Sequence, residues 1–455
     1  MGASVRFLSI ELENFKNISQ GKISFPKIKE EKRRGHNIIG VYGQNGSGKT
    51  VLVQAFEVLK RLSAGRVLEE NLISHGEDFA RLKLEFEIFD EVIYQTFYEI
   101  ELMLDKEDKN KIKLKKETFT YRPILRRKRS QQIVYNPFAS SVANMIQIIN
   151  RNGDCVPFDN LSEDDVFEIK LAQHSGSSLL LSFENFGNKG FLDKRDFIGY
   201  KILYALGSKI RMNTIIISSQ TNHHIYADET LPMQQASNVG DISFTGDLHL
   251  HYGKYPTLMQ RWVFEFHQNA VESINIVLPQ LIPGLMIELN EVGKETMPNG
   301  DKGIRAECLS IRNGEKIPFY YESTGIKKMV SILSALISLF NKEEIFVIID
   351  ELDTGIFEFL LGELLEILDK NAAGQLLFTS HNLRLLEVLE KENLVFTTTN
   401  PDNRFIQMKG LRETHNVRDR YIRAVQVGGQ EEELYAETKA FRIKRAFRNA
   451  GAIKK

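Results

Sequence analysis

The segment Gly43-Gln44-Asn45-Gly46-Ser47-Gly48-Lys49-Thr50 constrains this chain more than any other feature. It fits G-x-x-x-x-G-K-[ST] in full, and its flanks are those the pattern requires. Asn37 to Val41 (NIIGV) is a short apolar run that ends at the glycine turn. From Lys49 the period becomes helical, with Leu52, Ala55, Phe56, Leu59 and Leu62 at i, i+3, i+4 spacing as far as Gly65. Strand, glycine loop and helix in that order make a phosphate cradle, because glycines let the backbone wrap an anion while several N–H groups and a helix N-terminus face it. Gly43, Asn45, Gly46, Ser47, Gly48, Lys49 and Thr50 are therefore the expected nucleotide-binding residues. Lys49 supplies a point charge between the β- and γ-phosphates and the Thr50 hydroxyl a ligand for Mg²⁺, so the cofactors expected are ATP and Mg²⁺.

A complementary element lies far along the chain. Ile345 to Asp350 (IFVIID) is the most apolar run present, and Glu351 follows it. An all-apolar strand carries Asp350 to its C-terminal edge, where a carboxylate can hold the Mg²⁺ shell. Glu351, one residue on, is placed to orient and deprotonate an attacking water. Ser380-His381 closes the next strand, LLFTS, where the histidine can reach a γ-phosphate. The expected catalytic residues are Glu351, His381 and Lys49, and the expected metal ligands are Thr50 and Asp350. Glu322-Ser323-Thr324-Gly325 opens a further helical pattern. By itself Ser323 reads either as a helix N-cap or as part of the nucleotide site.

The intervening chain fills in an α/β plan. Leu8, Ile10 and Leu12 interleave with Ser9, Glu11 and Glu13 as in a half-buried strand, and Leu82 to Asp90 with Val92 to Leu102 read as an antiparallel hairpin. From about 160 to 280 the patterns are mostly helical, broken by polar loops at Gly187 to Gly190 and Ser219 to Gly246. No heptad pattern persists, so no long coiled coil is expected. Strand signals return at Gly284 to Glu291 and Ile304 to Ile311. Helix Ile326 to Phe340, strand 345–350, helix Ile356 to Leu368, strand Gln375 to Thr379 and strand Leu394 to Thr399 then alternate, which implies a parallel sheet covered by helices. The expected division is 1–130, a first part of the head with the phosphate loop and hairpin; 131–283, an inserted and mostly helical region; 284–410, the second part of the head; and 411–455, a basic tail.

Composition narrows the partners. Lys plus Arg total 59 against 60 Asp plus Glu, a net charge of -1, which excludes a polybasic chain. Two basic segments remain, Lys109 to Arg129 and the stretch from Lys439, which holds seven basic residues and no acidic one. Either suits a nucleic-acid backbone, a protein partner or plain solvent. Two cysteines, Cys155 and Cys308, far apart in sequence, give neither a disulfide framework nor a metal cluster and read as reduced thiols, and His223-His224 and His249/His251 lack companions at metal-ligand spacing. The N-terminal residues show no signal-peptide pattern and no window of about 18 apolar residues occurs, so a cytoplasmic protein without a membrane partner is expected.

The phosphate loop, Glu322 to Gly325, Asp350-Glu351 and Ser380-His381, in that order, resemble the ABC-type ATPase head of the SMC, RecF and OLD group. Leu12-Glu13-Asn14-Phe15-Lys16-Asn17 resembles the opening strand of that group. The chain is more similar still to stand-alone bacterial AAA-family ATPases of abortive-infection and anti-phage defence. The similarity lies in Asn313-Gly314 to Lys327, in Asp350-Glu351-Leu352-Asp353, and in Asn416-Val417-Arg418-Asp419-Arg420-Tyr421. It covers residues 1–65 and 284–425. It implies an ABC-type head with a mixed or parallel sheet, flanking helices and an antiparallel β subdomain. It also implies that Ser323 and Gly325 complete a second subunit's nucleotide site, in a homodimer or higher even-numbered oligomer. A separate effector protein is expected as partner, because the residues after His381 hold neither a Toprim-type Glu…Asp-x-Asp set nor an H-N-H pattern. The alternative is a compact RecF-like DNA-repair ATPase that binds duplex DNA. Two points depart from the pattern: Gly355-Ile356-Phe357-Glu358 stands where Ser-Leu-His-Pro is common, and only Gln131 and Gln132 are candidates for a Q-loop glutamine.

Overall fold

A computed structural model describes residues 4–26, 37–66, 68, 72–90, 92–105, 111–124, 130–149, 155–157, 163–181, 198–218, 229–239, 242–408, 416–436 and 439–451. Eight strands form an antiparallel sheet in the order β2-β1-β4-β5-β6-β7-β8-β9. They are β1 (Ser4–Phe15), β2 (Ile18–Ser24), β4 (Phe79–Phe89), β5 (Ile93–Leu104), β6 (Ile112–Pro123), β7 (Gln131–Tyr135), β8 (Ile146–Ile149) and β9 (Cys155–Pro157). A six-stranded sheet runs β10 (Thr214–Ile217), β17 (Phe346–Ile349), β18 (Gln375–Ser380), β3 (Ile38–Tyr42), β19 (Leu394–Thr397), β20 (Phe405–Ile406). All its pairs are parallel except β19 with β20.

Period two explains how these sheets stack. In β3, Ile39 and Val41 face the antiparallel sheet, while Ile38 and Tyr42 face the other way; in β17, Phe346 and Ile348 divide from Val347 and Ile349 in the same manner. Both faces are buried, which is why these strands read as continuous apolar runs. The core between the sheets also takes residues of α1 (Lys49–Ser63), α3 (Glu163–Ser175) and α4 (Ile198–Met212). Phe7 anchors it, with the rings of Phe56 and Phe346 both 5.2 Å away. At Phe7 the β1–β4 register slips, and the Gln375 amide closes the gap, accepting from Phe7 N and donating to Phe7 O, each at 2.8 Å. The opposite face is covered by α6 (Thr324–Asn341), α7 (Glu358–Asn371), α8 (Leu385–Val388) and α9 (Val417–Val427).

A third core joins α5 (Arg261–Leu281) and α6 to a four-stranded sheet of β13 (Thr257–Gln260), β14 (Leu285–Thr296), β15 (Lys302–Arg312) and β16 (Glu315–Pro318), and to a two-stranded ribbon, β11 (Thr230–Val239) with β12 (Ile242–His251). The short helix α2 (Val142–Met145) precedes β8, and α10 (Ala440–Gly451) follows the rest of the chain. The α/β plan expected from the sequence is present: a mostly parallel sheet with flanking helices, plus an antiparallel sheet.

The stretch 131–283 differs from its mostly helical expectation. It supplies β7 to β9 to the antiparallel sheet, β10 to the parallel sheet, and the β11–β12 ribbon. Short apolar runs such as QQIVY and TIII cannot be told from buried helix by period alone, and the ribbon's polar strands read as loop. Within the basic stretch Lys109 to Arg129, Ile112–Pro123 forms β6, an interior strand on which Lys113 pairs with Asp105 at 2.8 Å and Lys115 with Glu101 at 2.6 Å. Residues 109–110 and 125–129 of that stretch, Gly187 to Gly190 and His223-His224 lie outside the described residues. At the far end, 417–436, part of the expected basic tail, packs on the head. Asn416 Oδ1 caps α9 by accepting from Arg418 N at 2.9 Å, Arg418 pairs with Glu387 at 2.8 Å, and Tyr421 stacks on Phe396 at 5.1 Å. The motif Asn416 to Tyr421 is therefore a docking device.

Candidate functional site

β3 ends at Tyr42 in the middle of the parallel sheet, and the glycine loop leaves from its C-terminal edge. Gly46 (φ 77°) and Gly48 (φ 93°) take the left-handed conformation, which a side chain at either position would strain. Gly43 is needed for space: a Cβ there would lie 1.5 Å from Thr397 Oγ1. That hydroxyl donates toward Ser47 Oγ at 2.6 Å and Tyr42 O at 3.2 Å, so β19 buttresses the loop from beneath. Asn17 Nδ2 donates to Gly46 O at 2.8 Å, and Gln44 Oε1 accepts from Ala436 N at 2.9 Å. α1 begins at Lys49 with no side-chain cap, so its first N–H groups are open to an anion. Thr50, half-buried, lies in the same turn, and Asn45 is exposed.

Lys49 is 6% exposed, and its amine donates to Gly43 O at 2.8 Å and Gln44 O at 2.9 Å. Burial pushes its pKa down, and the nearby carboxylates of Asp350, Glu351 and Asp353 oppose that shift. β18 lies between β3 and β17, so the loop and the end of β17 are two strands apart on one edge. There Asp350, buried, takes a 2.5 Å hydrogen bond on Oδ1 from Thr379 Oγ1. The same Thr379 oxygen accepts from Glu351 N at 2.8 Å, and Thr379 O accepts from Leu352 N at 3.0 Å. Glu351 is exposed and takes a left-handed backbone (φ 50°), a conformation that costs a non-glycine residue about 1–3 kcal/mol and persists only when neighbours over-determine it. Here the neighbours are Thr379 and the buried Lys328, whose amine donates to Glu351 O.

His381 follows β18, and its N–H donates to Asp353 at 3.2 Å. Burial and then the charge of Lys49 lower its pKa, against the opposing pull of Asp353, Glu351 and Asp350. The structure thus gathers Lys49, Asp350, Glu351 and His381 on one sheet edge. Two backbone glycines in left-handed form, a helix N-terminus, a buried amine, a hydroxyl and a held carboxylate make a donor and acceptor set that suits a nucleoside triphosphate with its Mg²⁺.

Ser323 and Gly325 are placed elsewhere. Ser323 Oγ accepts from Ile326 N at 3.3 Å as the N-cap of α6, and it is exposed. Gly325 lies against Gly355, where a Cβ would fall 2.0 Å from Gly355 O. Among the described residues no hydrogen bond joins either to the phosphate loop. Ser323 is thus a helix N-cap with an exposed side chain. The Q-loop candidates are occupied within the antiparallel sheet, with Gln131 Oε1 accepting from Tyr121 OH at 2.6 Å and Gln132 Nε2 donating to Thr120 Oγ1 at 3.2 Å.

Sequence reasoning missed Thr379 and Thr397, because one hydroxyl in an apolar strand makes no pattern. It also missed Lys328, hidden beside Lys327 in a helix. The signal for Thr379 was positional: it lies on the strand next to the Asp350 strand, just before the histidine.

Among the described residues no helix is long and apolar enough to cross a membrane. No curated protein sequence matches the chain. The chain is similar to the solved SMC head domain from Thermotoga maritima, at 14% identity and TM-score 0.39, covering 89% of this chain and 99% of that one. It is also similar to the recombination mediator protein RecF with ATP, at 12% identity and TM-score 0.31, covering 83% and 94%. The family model described as AAA ATPase domain matches residues 7–386, and the chain belongs to that family.

Proposed function

We propose that the chain is a Mg²⁺-dependent ATP hydrolase that works as a switch: two heads close on ATP, and the change controls a separate effector protein in bacterial anti-phage defence. The observation that carries the hydrolytic part is the Thr379 hydroxyl, which at one sheet edge holds Asp350 Oδ1 at 2.5 Å and Glu351 N at 2.8 Å. In this reading the loop amides and Lys49 bind the phosphates, while Thr50 and Asp350 hold Mg²⁺. The metal, when bound, neutralises charge on the transferring phosphoryl group. Glu351 accepts the proton of the attacking water, and His381 reads the γ-phosphate position. Ser323, exposed, and Gly325 serve the partner's nucleotide. Family membership supports the ATPase, and the motif resemblance supports the defence role and the effector.

The test is ATP turnover with and without Mg²⁺ for wild type, Lys49→Ala and Glu351→Gln. The reading expects Mg²⁺-dependent turnover in wild type, loss of ATP binding in the first variant, and binding without turnover in the second. Turnover by Glu351→Gln at the wild-type rate overturns the assignment of the base.

A compact DNA-binding ATPase is a second reading, favoured by α10. Every residue of that helix is exposed, and it carries Arg442, Lys444, Arg445 and Arg448 with no acid. Salt-sensitive duplex binding that stimulates turnover supports it, and a rate indifferent to duplex DNA removes it.

A further inference from the structure

Lys328 is the one buried lysine of α6, and an ammonium is rarely fully buried unless it is paired. Its amine donates to the backbone carbonyl of Glu351, and the carboxylates of Asp353, Glu351 and Asp350 all act on it. The Glu351 peptide is thus clamped from two sides. Thr379 Oγ1 takes its N–H from within the sheet, and Lys328 takes its C=O from the helix that begins beside Ser323. Thr354 N also donates to the Glu351 carbonyl, at 3.1 Å, but from within the same turn; Lys328 ties that carbonyl to the helix, and relaxation of the left-handed φ of 50° to a negative value would redirect the side chain. The same helix approaches the turn after Asp353 so closely at Gly325 and Gly355 that a Cβ on Gly325 would fall 2.0 Å from Gly355 O.

We propose that Lys328 is a positioning residue for Glu351: its buried ammonium fixes the backbone that aims the water-activating carboxylate, and it couples that carboxylate to the Ser323–Gly325 turn. This rests on the reading of Glu351 as base given above. A positioning role differs from a packing role in what it spares. Lys328 touches no residue of the phosphate loop through its hydrogen bond, so binding of ATP stays while turnover falls.

The experiment measures kcat, KM, ATP affinity by calorimetry and thermal unfolding for Lys328→Met and Lys328→Arg, with Glu351→Gln alongside. Lys328→Met should lose at least about tenfold in kcat, as supporting groups around such sites do, with ATP affinity unchanged. Lys328→Arg, which keeps the charge, should recover part of that loss. Wild-type kcat in the Met variant overturns the proposal. So does an equal loss in Met and Arg, or a fall in ATP affinity that matches the fall in kcat, since either marks a packing role. If Lys328→Met does not fold, Lys328→Gln is measured in its place against the same outcomes. Wild-type turnover by Glu351→Gln instead sinks the underlying assignment of the base and is read separately.

Discussion

Replacing Thr379 by valine keeps the shape of a fully buried side chain and removes its hydroxyl. Two bonds are lost. The Asp350 carboxylate loses a 2.5 Å donor, and a hydrogen bond to a charged group contributes about 1.5–3 kcal/mol. Glu351 N, only part-buried, loses its acceptor at 2.8 Å, a loss of about 0.5–1.5 kcal/mol. The backbone bond from Leu352 N to Thr379 O survives, so the strand itself stays in place. The expected sum is a destabilisation of about 3 kcal/mol, with the denaturant midpoint lowered and its slope unchanged. Because the lost donor orients the carboxylate proposed to hold Mg²⁺, half-saturating Mg²⁺ for turnover should rise about 10–100-fold. Urea unfolding at pH 7 and a Mg²⁺ titration of the ATPase rate measure the two effects, with Thr379→Ser as the variant that retains both bonds. A valine variant with wild-type midpoint and Mg²⁺ dependence would refute the clamp.

Gly43→Ala places a methyl group 1.5 Å from a hydroxyl fixed by Ser47 and Tyr42, so the loop must move; calorimetry should find ATP affinity lost while β-rich circular dichroism persists. His267, buried on α5 with Nδ1 unpartnered, has its pKa pushed by burial, and further by His251 and His249, to about 4. Its neutral form is favoured by folding, so its contribution is present above pH 6.5 and is lost as pH falls towards 4, by up to about 3 kcal/mol. His267→Phe should therefore unfold with a shallower pH dependence than wild type between those values, and identical profiles would contradict the burial argument.

The phosphate loop, the Asp350-Glu351 strand and His381 were legible because each is a short local pattern at the end of an apolar run. Local pattern also placed α1, the β4–β5 hairpin and the alternation from α6 to β19. What was not legible depends on distant pairing. β10 joins the parallel sheet only because Thr214 to Ile217 lies beside Phe346 to Ile349, and nothing within TIII states that. The roles of Thr379, Thr397 and Lys328 follow from which strand or helix lies next to which. Asn416, Arg418 and Tyr421 stood out as a motif, yet their cap, ion pair and ring stack appear only once α9 meets β19 and Glu387. The ribbon β11–β12 was hidden by its polar composition.

The central claim is that Glu351 activates water at a site which closes between two heads. The mass of Glu351→Gln in solution with Mg²⁺ and ATP tests it most directly. The account predicts twice the 52.2 kDa of one chain with ATP bound and unhydrolysed, and a single chain once nucleotide is removed. A single chain with ATP present, or ADP formed at the wild-type rate, would contradict it.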